Sequence, residues 1–234
     1  MTETGSIKGV VIDWGGVLTT DMLSAIIKWI EADRIDGLHY REVMREMVRG
    51  AYGGGEGGTA AVAIEAVGQD ANPVHALERG EVDTAEFERE LASRLRTEDG
   101  GRPRAEGLLS RMFAGFEPVE PMYAMLRTAR ANGLVTVLLS NSWGNDYPRE
   151  RFAETFDHVV ISGEVGMRKP EERIFRHTLD LAGLDPRECV FIDDIEANIA
   201  AAEALGMIGI HHTSPEATLA ELERLTGLEF PRTA

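Results

Sequence analysis

Cysteine is nearly absent from this chain: Cys189 is the only one in 234 residues. An internal disulfide is therefore impossible, and no cysteine cluster exists to hold zinc. Its setting in the apolar run CVFI marks Cys189 as a core residue. Positive charge is also scarce, with 24 Lys and Arg against 40 Asp and Glu and a net charge of -16. That balance excludes a general nucleic-acid binder, which needs a basic surface to neutralise phosphates. An acidic chain that nonetheless handles an anion needs a local patch of positive charge. Long hydrophobic runs are missing too. No segment reaches membrane-spanning length, and the opening stretch MTETGSIKG is polar, without an apolar signal region. The expectation is a cytoplasmic protein with neither membrane nor nucleic acid as partner. Hydrophobic residues still make up 43%, ample for a packed interior, and the length suits one sizeable domain or a core carrying an insertion.

What is present is a rhythm. Short aliphatic runs at 9–13 (GVVID), 135–140 (VTVLLS), 158–162 (HVVIS), 189–193 (CVFID) and 208–212 (IGIHH) read as strands. They are nearly continuous in hydrophobicity, as parallel strands covered on both faces must be. Amphipathic stretches lie between them. PMYAMLRTARANG stops on a glycine, PEERIFRHTLDLAG opens with proline in its first turn, and SPEATLAELERLTG follows a Ser–Pro start. Strand–helix alternation predicts an α/β fold with a doubly wound, Rossmann-like parallel sheet. One interval breaks the pattern. Residues 21–116 hold only helix-like runs, punctuated by GGGEGG at 53–58 and DGGRPR at 99–104. This predicts a small helical cap inserted after the first strand, with the core formed by residues 1–20 and 117–234. YGGGEGG lacks the GK[ST] ending of a phosphate loop and follows no strand, so it reads as a turn.

In an open parallel sheet, ligands bind beyond the carboxyl ends of the strands. Those ends carry Asp13, then Ser140 and Asn141, then Asp193 and Asp194, while Lys169 sits on the loop after the third strand. Each has an ordinary structural reading. Asp13 before glycine suits a turn, Ser140 a cap, Lys169 a solvated charge, and Asp193, Asp194 and Asn198 a helix-capping turn. Their meeting at one sheet edge is the more informative feature.

VVIDWGGVLT, VLLSNS, VGMRKPEERIF and CVFIDDIEANIAAAEALGM occur in that order. Together they resemble the four motifs of the haloacid dehalogenase-like hydrolase superfamily. The last two are similar in detail to the phosphatase domain of soluble epoxide hydrolases and bacterial relatives. The resemblance implies a magnesium-dependent phosphatase of a small phosphorylated metabolite. It makes Asp13 the nucleophile, forming an aspartyl-phosphate, with Lys169 offsetting charge. Mg²⁺ would take Asp13, the main-chain carbonyl of Gly15 and Asp194, with Asp193 as a ligand or an orienter of bound water. Ser140, Lys169 and the main chain at Gly15, Gly16 and Asn141 would hold phosphoryl oxygens.

One departure from that superfamily is conspicuous. Its phosphatases usually carry a second Asp two residues after the nucleophile as general acid and base, and here that position is Gly15. Thr19 and Thr20 are too weakly acidic to replace it, and Asp21 reads as a helix N-cap before MLSAII. Two alternatives stay open. One is a non-catalytic phosphate-sensing or interaction module. The other is a haloacid dehalogenase, although a carboxylate attacking carbon has no need of paired acids suited to metal. Trp14 resembles a phosphonate-cleaving branch, but Lys28, next to Trp29, reads as a surface residue. Arg45, Arg49 and Arg79 are candidates for anionic parts of a substrate or ordinary solvated charges, and His211 and His212 read as structural.

Overall fold

The computed structural model describes residues 6–47, 72–144 and 146–232. The glycine-rich turn at 52–58 and Arg49 lie outside the described residues. Five strands form one sheet: β1 (Gly9–Ile12), β2 (Val135–Ser140), β3 (His158–Ile161), β4 (Cys189–Asp193) and β5 (Ile208–His211). Their order is β3-β2-β1-β4-β5 and every pairing is parallel. β1 is central, with Gly9 in register with both Val135 and Cys189. All four of its residues are buried, which explains why it reads as unbroken hydrophobicity.

Successive side chains of a strand point to opposite faces, and the two cores follow this. Val10 and Ile12 pack on one face with Met122, Met125 and Leu126 of α6 (Glu120–Ala131) and Leu219 and Leu222 of α11 (Pro215–Thr226). Val11 packs on the other with Phe175 and Leu179 of α9 (Glu172–Ala182) and Ile199 and Ala202 of α10 (Glu196–Ala204). The chain leaves β1 towards β2 and β3, then crosses back to place β4 on the opposite side of β1. The carboxyl ends of β1 and β4 therefore bound the crevice where the strand order reverses.

Asp157 secures the start of β2 against β3. Its carboxylate accepts from Thr136 N at 3.0 Å and from Arg130 Nε at 2.8 Å, while its own N–H donates to Thr136 O. Partial burial would raise its pKa, but the Thr136 N–H and the Arg130 guanidinium outweigh it and hold the carboxyl below its ordinary 3.8. A depressed acid contributes stability that is present above its unfolded pKa and lost as pH falls through the folded one. Asp157→Asn is expected to cost about 1–2 kcal/mol at pH 7, as for loss of a charged hydrogen-bond acceptor. The difference from wild type should shrink in urea melts below the ordinary carboxylate range.

Between β1 and α6 lie α1 (Met22–Ala32), α2 (Gly37–Met47), α3 (Pro73–Glu78), α4 (Thr84–Arg94) and α5 (Leu108–Phe113). They surround a third core of Trp29, Tyr40, Leu77, Phe87, Leu91 and Met112, joined from the sheet side by Trp143. The described residues of this interval contain no strand; within 21–116 there is an isolated bridge between Ile35 and Thr97. Asp21 caps α1, accepting from Ser24 N at 2.9 Å, so the capping reading of this acid is the one observed. The segments entering and leaving the insertion pair with each other. Thr20 N donates to Glu117 O, Val119 N donates to Leu18 O, and Thr19 bridges Pro118.

Several sequence-based boundaries shift: β1 ends at Ile12 rather than Asp13, and β5 at His211 rather than His212. The third strand ends at Ile161, because Ser162 opens the short helix α8 (Ser162–Val165) and its hydroxyl accepts from Ser142 N at 2.8 Å. Helix α9 begins at Glu172 rather than at Pro170. Glu171 N bonds Arg168 O in a turn that leaves Lys169 and Pro170 in the loop. That turn aims Lys169 at the strand ends.

Candidate active site

Asp13 directly follows β1, and its N–H extends the ladder to Ile192 O at 2.9 Å. Its side chain is thereby fixed at the crevice mouth. Lys169, 1% exposed, reaches in from the loop before α9 and places Nζ 2.7 Å from Asp13 Oδ1 and 2.6 Å from Asp193 Oδ2. Asn141 determines where that lysine stands. Its Oδ1 accepts from Lys169 N at 2.8 Å and its Nδ2 donates to Lys169 O at 3.0 Å. The amide side chain after β2 thus clamps the main chain of the lysine loop.

Asp193 is fully buried and its oxygens are heavily used. Besides Lys169 it accepts from Ile195 N at 2.8 Å and from Asn198 Nδ2 at 3.0 and 3.1 Å. The capping reading of Asn198 gives way here to a different one: its amide holds the Asp193 carboxylate. Among the described residues no other side chain bonds the Asp194 carboxylate, and its main-chain oxygen meets His211 Nε2 at 3.0 Å. Carboxylate oxygens of Asp13, Asp193 and Asp194 lie within 4.8 Å of one another.

Three carboxylates facing one ammonium leave two negative charges without a partner in this cluster. The imbalance is visible in their acidities. Burial, and next the Asp193 charge, push Asp13 up to about 6 even though Lys169 pulls the other way. Loss of hydration, then the charges of Asp13 and Asp193, push Asp194 up to about 7. Because Asp194 stands exposed at the rim, repulsion from its two neighbours is the firmer cause. Burial would lower Lys169, but the two carboxylates it touches outweigh that and raise it, so it stays an ammonium. A hard divalent cation fits this donor set, since it brings the two missing positive charges to oxygen ligands.

The glycines following Asp13 differ in function. Gly16 has φ +78°, and a Cβ there would lie 2.4 Å from Asp194 Oδ2, so only glycine lets the turn pass the acid. Its N–H donates to Thr19 Oγ1 at 3.1 Å. A Cβ at Gly15 would meet nothing within 4 Å. The position that lacks the second acid has room for a side chain.

Ser140 is buried at the end of β2, and its hydroxyl lies 2.9 Å from the Tyr147 hydroxyl. Tyr147 in turn packs against the Trp14 ring, with centroids 4.8 Å apart. Burial pushes its phenol up to about 12, so it stays protonated. Sequence reading missed Tyr147, because it sits in an irregular loop with no periodic or motif signal. The other candidates lie elsewhere. Lys28 is exposed and paired with Glu117 at 2.5 Å, Arg45 is exposed on α2, and His212 Nδ1 meets Thr218 Oγ1. Arg79 is not a solvated charge: it is buried, with Nε 2.7 Å from Glu81 and Nη1 2.9 Å from Glu171.

The haloacid dehalogenase-like hydrolase family matches residues 7–206, most of the chain. The chain belongs to that family. That family is one of hydrolases, and phosphatases are among this chain's relatives. Rat bifunctional epoxide hydrolase 2 is 30% identical over 132 residues, covering 53% of this chain and 24% of that protein, so the chain matches only a part of it. A sesquiterpene phosphatase from Aspergillus oryzae is 30% identical over 157 residues, 64% of this chain and 78% of the relative. Among solved structures, a family enzyme from Bacteroides thetaiotaomicron in complex with magnesium and inorganic phosphate superposes with a TM-score of 0.61 at 23% identity. That alignment covers 88% of this chain and 93% of the other, and it establishes the shared fold.

Proposed function

We propose that this hydrolase is a Mg²⁺-dependent phosphatase of a small phosphorylated metabolite, working through an aspartyl-phosphate on Asp13. The observation that carries this reading is the Lys169 ammonium seated between Asp13 and Asp193, with Asp194 beside them at the switch point of the sheet. We further propose that residues 21–116 act as a cap over a core of residues 1–20 and 117–234. The paired linkers at Thr20 and Glu117 support that division.

Asp13 brings a carboxylate oxygen to phosphorus. A P–O bond forms to Asp13 as the ester P–O bond breaks, and the departing alkoxide takes its proton from water, because Gly15 offers none. Water then attacks the phosphorus of the acyl phosphate, releasing inorganic phosphate and restoring the Asp13 carboxylate. Lys169 screens the repulsion between the incoming carboxylate and the phosphoryl oxygens, at a site too dry for bulk water to do so. Ser140 and the main chain at Gly15 and Asn141 orient those oxygens, and Gly16, whose N–H is held by Thr19, shapes the turn that brings them close. Asp193, already saturated by Asn198, Ile195 and Lys169, acts by holding the lysine. The residues that would hold Mg²⁺ are Asp13, the Gly15 carbonyl and Asp194, and the ion would supply positive charge at the transferring group.

A dehalogenase attacks carbon and gains nothing from a cluster of acids short of two positive charges, so the phosphatase reading fits this site better. With an aryl phosphate as substrate, EDTA is expected to lower turnover about a hundredfold, with Mg²⁺ restoring it. Turnover that survives EDTA, or dehalogenation of a 2-haloacid without metal, would overturn the reading.

A further inference from the structure

Helix α3 is short, and three consecutive residues at its C-terminal end fasten it to the sheet side of the molecule. Glu78, with no exposed surface, accepts from Trp143 Nε1 at 2.9 Å and from Arg168 Nε, both on the far side of the seam. Arg79 pairs with Glu171 at 2.9 Å. Gly80 lies so close to α8 that a Cβ would stand 2.6 Å from Gly163 O, at φ +69°.

The partners of Glu78 are informative by their positions. Trp143 follows Ser140 and Asn141 on the loop after β2. Arg168 immediately precedes Lys169. One carboxylate from the insertion therefore grips both loops that deliver the candidate phosphate-handling groups. Within the core those loops are joined by the two hydrogen bonds between Asn141 and the main chain of Lys169. Arg168 is 3% exposed, so this charge pair is out of water. A carboxylate kept at such a site at the cost of desolvation is placed where geometry matters.

We propose that Glu78 is a positioning residue for phosphoryl transfer: it fixes the spacing between the Ser140–Asn141 loop and Lys169. It makes the α3 end of the insertion a fixed foot. The proposal rests on the phosphatase reading above. It adds a residue from outside the core motifs to the machinery.

The test uses Glu78→Gln, Arg168→Lys and Trp143→Phe in the full chain. Each is assayed with an aryl phosphate and Mg²⁺, alongside calorimetric binding of inorganic phosphate with Mg²⁺ and a thermal melt. Misplacing a charged group by about an ångström costs up to about a hundredfold, so Glu78→Gln and Arg168→Lys should lower kcat about 10- to 100-fold with KM changed less than about threefold. Trp143→Phe keeps an aromatic ring while losing the N–H donor and part of the indole's volume, and it leaves the Glu78–Arg168 pair in place, so its loss of kcat should be smaller, about three- to tenfold. Should Glu78→Gln fail to fold, Arg168→Lys and Trp143→Phe carry the same comparison. Unchanged kcat and phosphate affinity in the folded variants would overturn the proposal and leave the phosphatase reading intact. A wild type that neither turns over the ester nor binds phosphate would overturn both. A wild type that binds phosphate without turnover overturns the hydrolytic reading, and the proposal, which rests on it, falls with it.

Discussion

Asp13→Asn should abolish phosphomonoester turnover, by about 10⁶-fold when judged by removal of nucleophiles elsewhere. The amide keeps the shape of the carboxylate but cannot attack phosphorus. It also leaves Lys169 its contact with Asp193, so the loop need not collapse. Loss of activity through unfolding can be separated by pH. Asp13 in the folded chain is pushed from 3.8 up to about 6, chiefly by burial. An acid raised on folding contributes stability that is complete below its unfolded pKa and lost as pH rises through the folded one. The neutral amide escapes that loss. Without added cation, Asp13→Asn should therefore melt higher relative to wild type at pH 7 than at pH 4. An inactive variant that is destabilised at pH 7 would point to collapse of the site. Full turnover in a folded variant would remove Asp13 from the mechanism.

Gly15→Asp is the second large effect, and it is a gain. A general acid and base typically contributes about 10²- to 10⁴-fold. The position has the space, since a Cβ there meets nothing within 4 Å, and its backbone is outside the left-handed region that penalises side chains. Turnover of alkyl phosphates, whose alkoxides leave poorly without a proton, should rise about 10²-fold or more. Aryl phosphates should gain less than about tenfold, because their phenolates leave unaided. The dependence of wild-type rate on leaving-group pKa should accordingly be steep, and it should flatten in the variant. A flat dependence in wild type would mean that another group already donates the proton, and Tyr147, 2.9 Å from Ser140, would be the first to substitute.

The fold was legible in the sequence for a definite reason. Parallel strands buried on both faces must be continuously apolar, and β1 and β4 are buried at every residue. The strand ends therefore named the acids, whereas Lys169, on the loop after the third strand, was named by its place in the motif VGMRKPEERIF. Helix starts with a side-chain signal were also legible, as Asp21 and Ser214 cap their helices as expected. Helix α9 was misjudged by two residues, because the turn from Arg168 to Glu171 is a local competition that proline alone does not decide. Arg79 looked like any charge on an amphipathic helix. Its burial against Glu171 joins residues 92 apart in sequence, a contact that periodicity cannot report.

By itself the sequence determined the order of elements, the carboxyl ends at which the acids gather, and the absence of an acid at position 15. Those are properties of local pattern and of residue identity. Only the tertiary structure decided that Asp193 is spent on Lys169 and Asn198 while Asp194 stays open, that Tyr147 touches Ser140, and that Glu78 grips both loops. Charge balance and hydrogen-bond saturation depend on which distant groups meet in a dry crevice, and distance in space is what a linear pattern of residues does not encode.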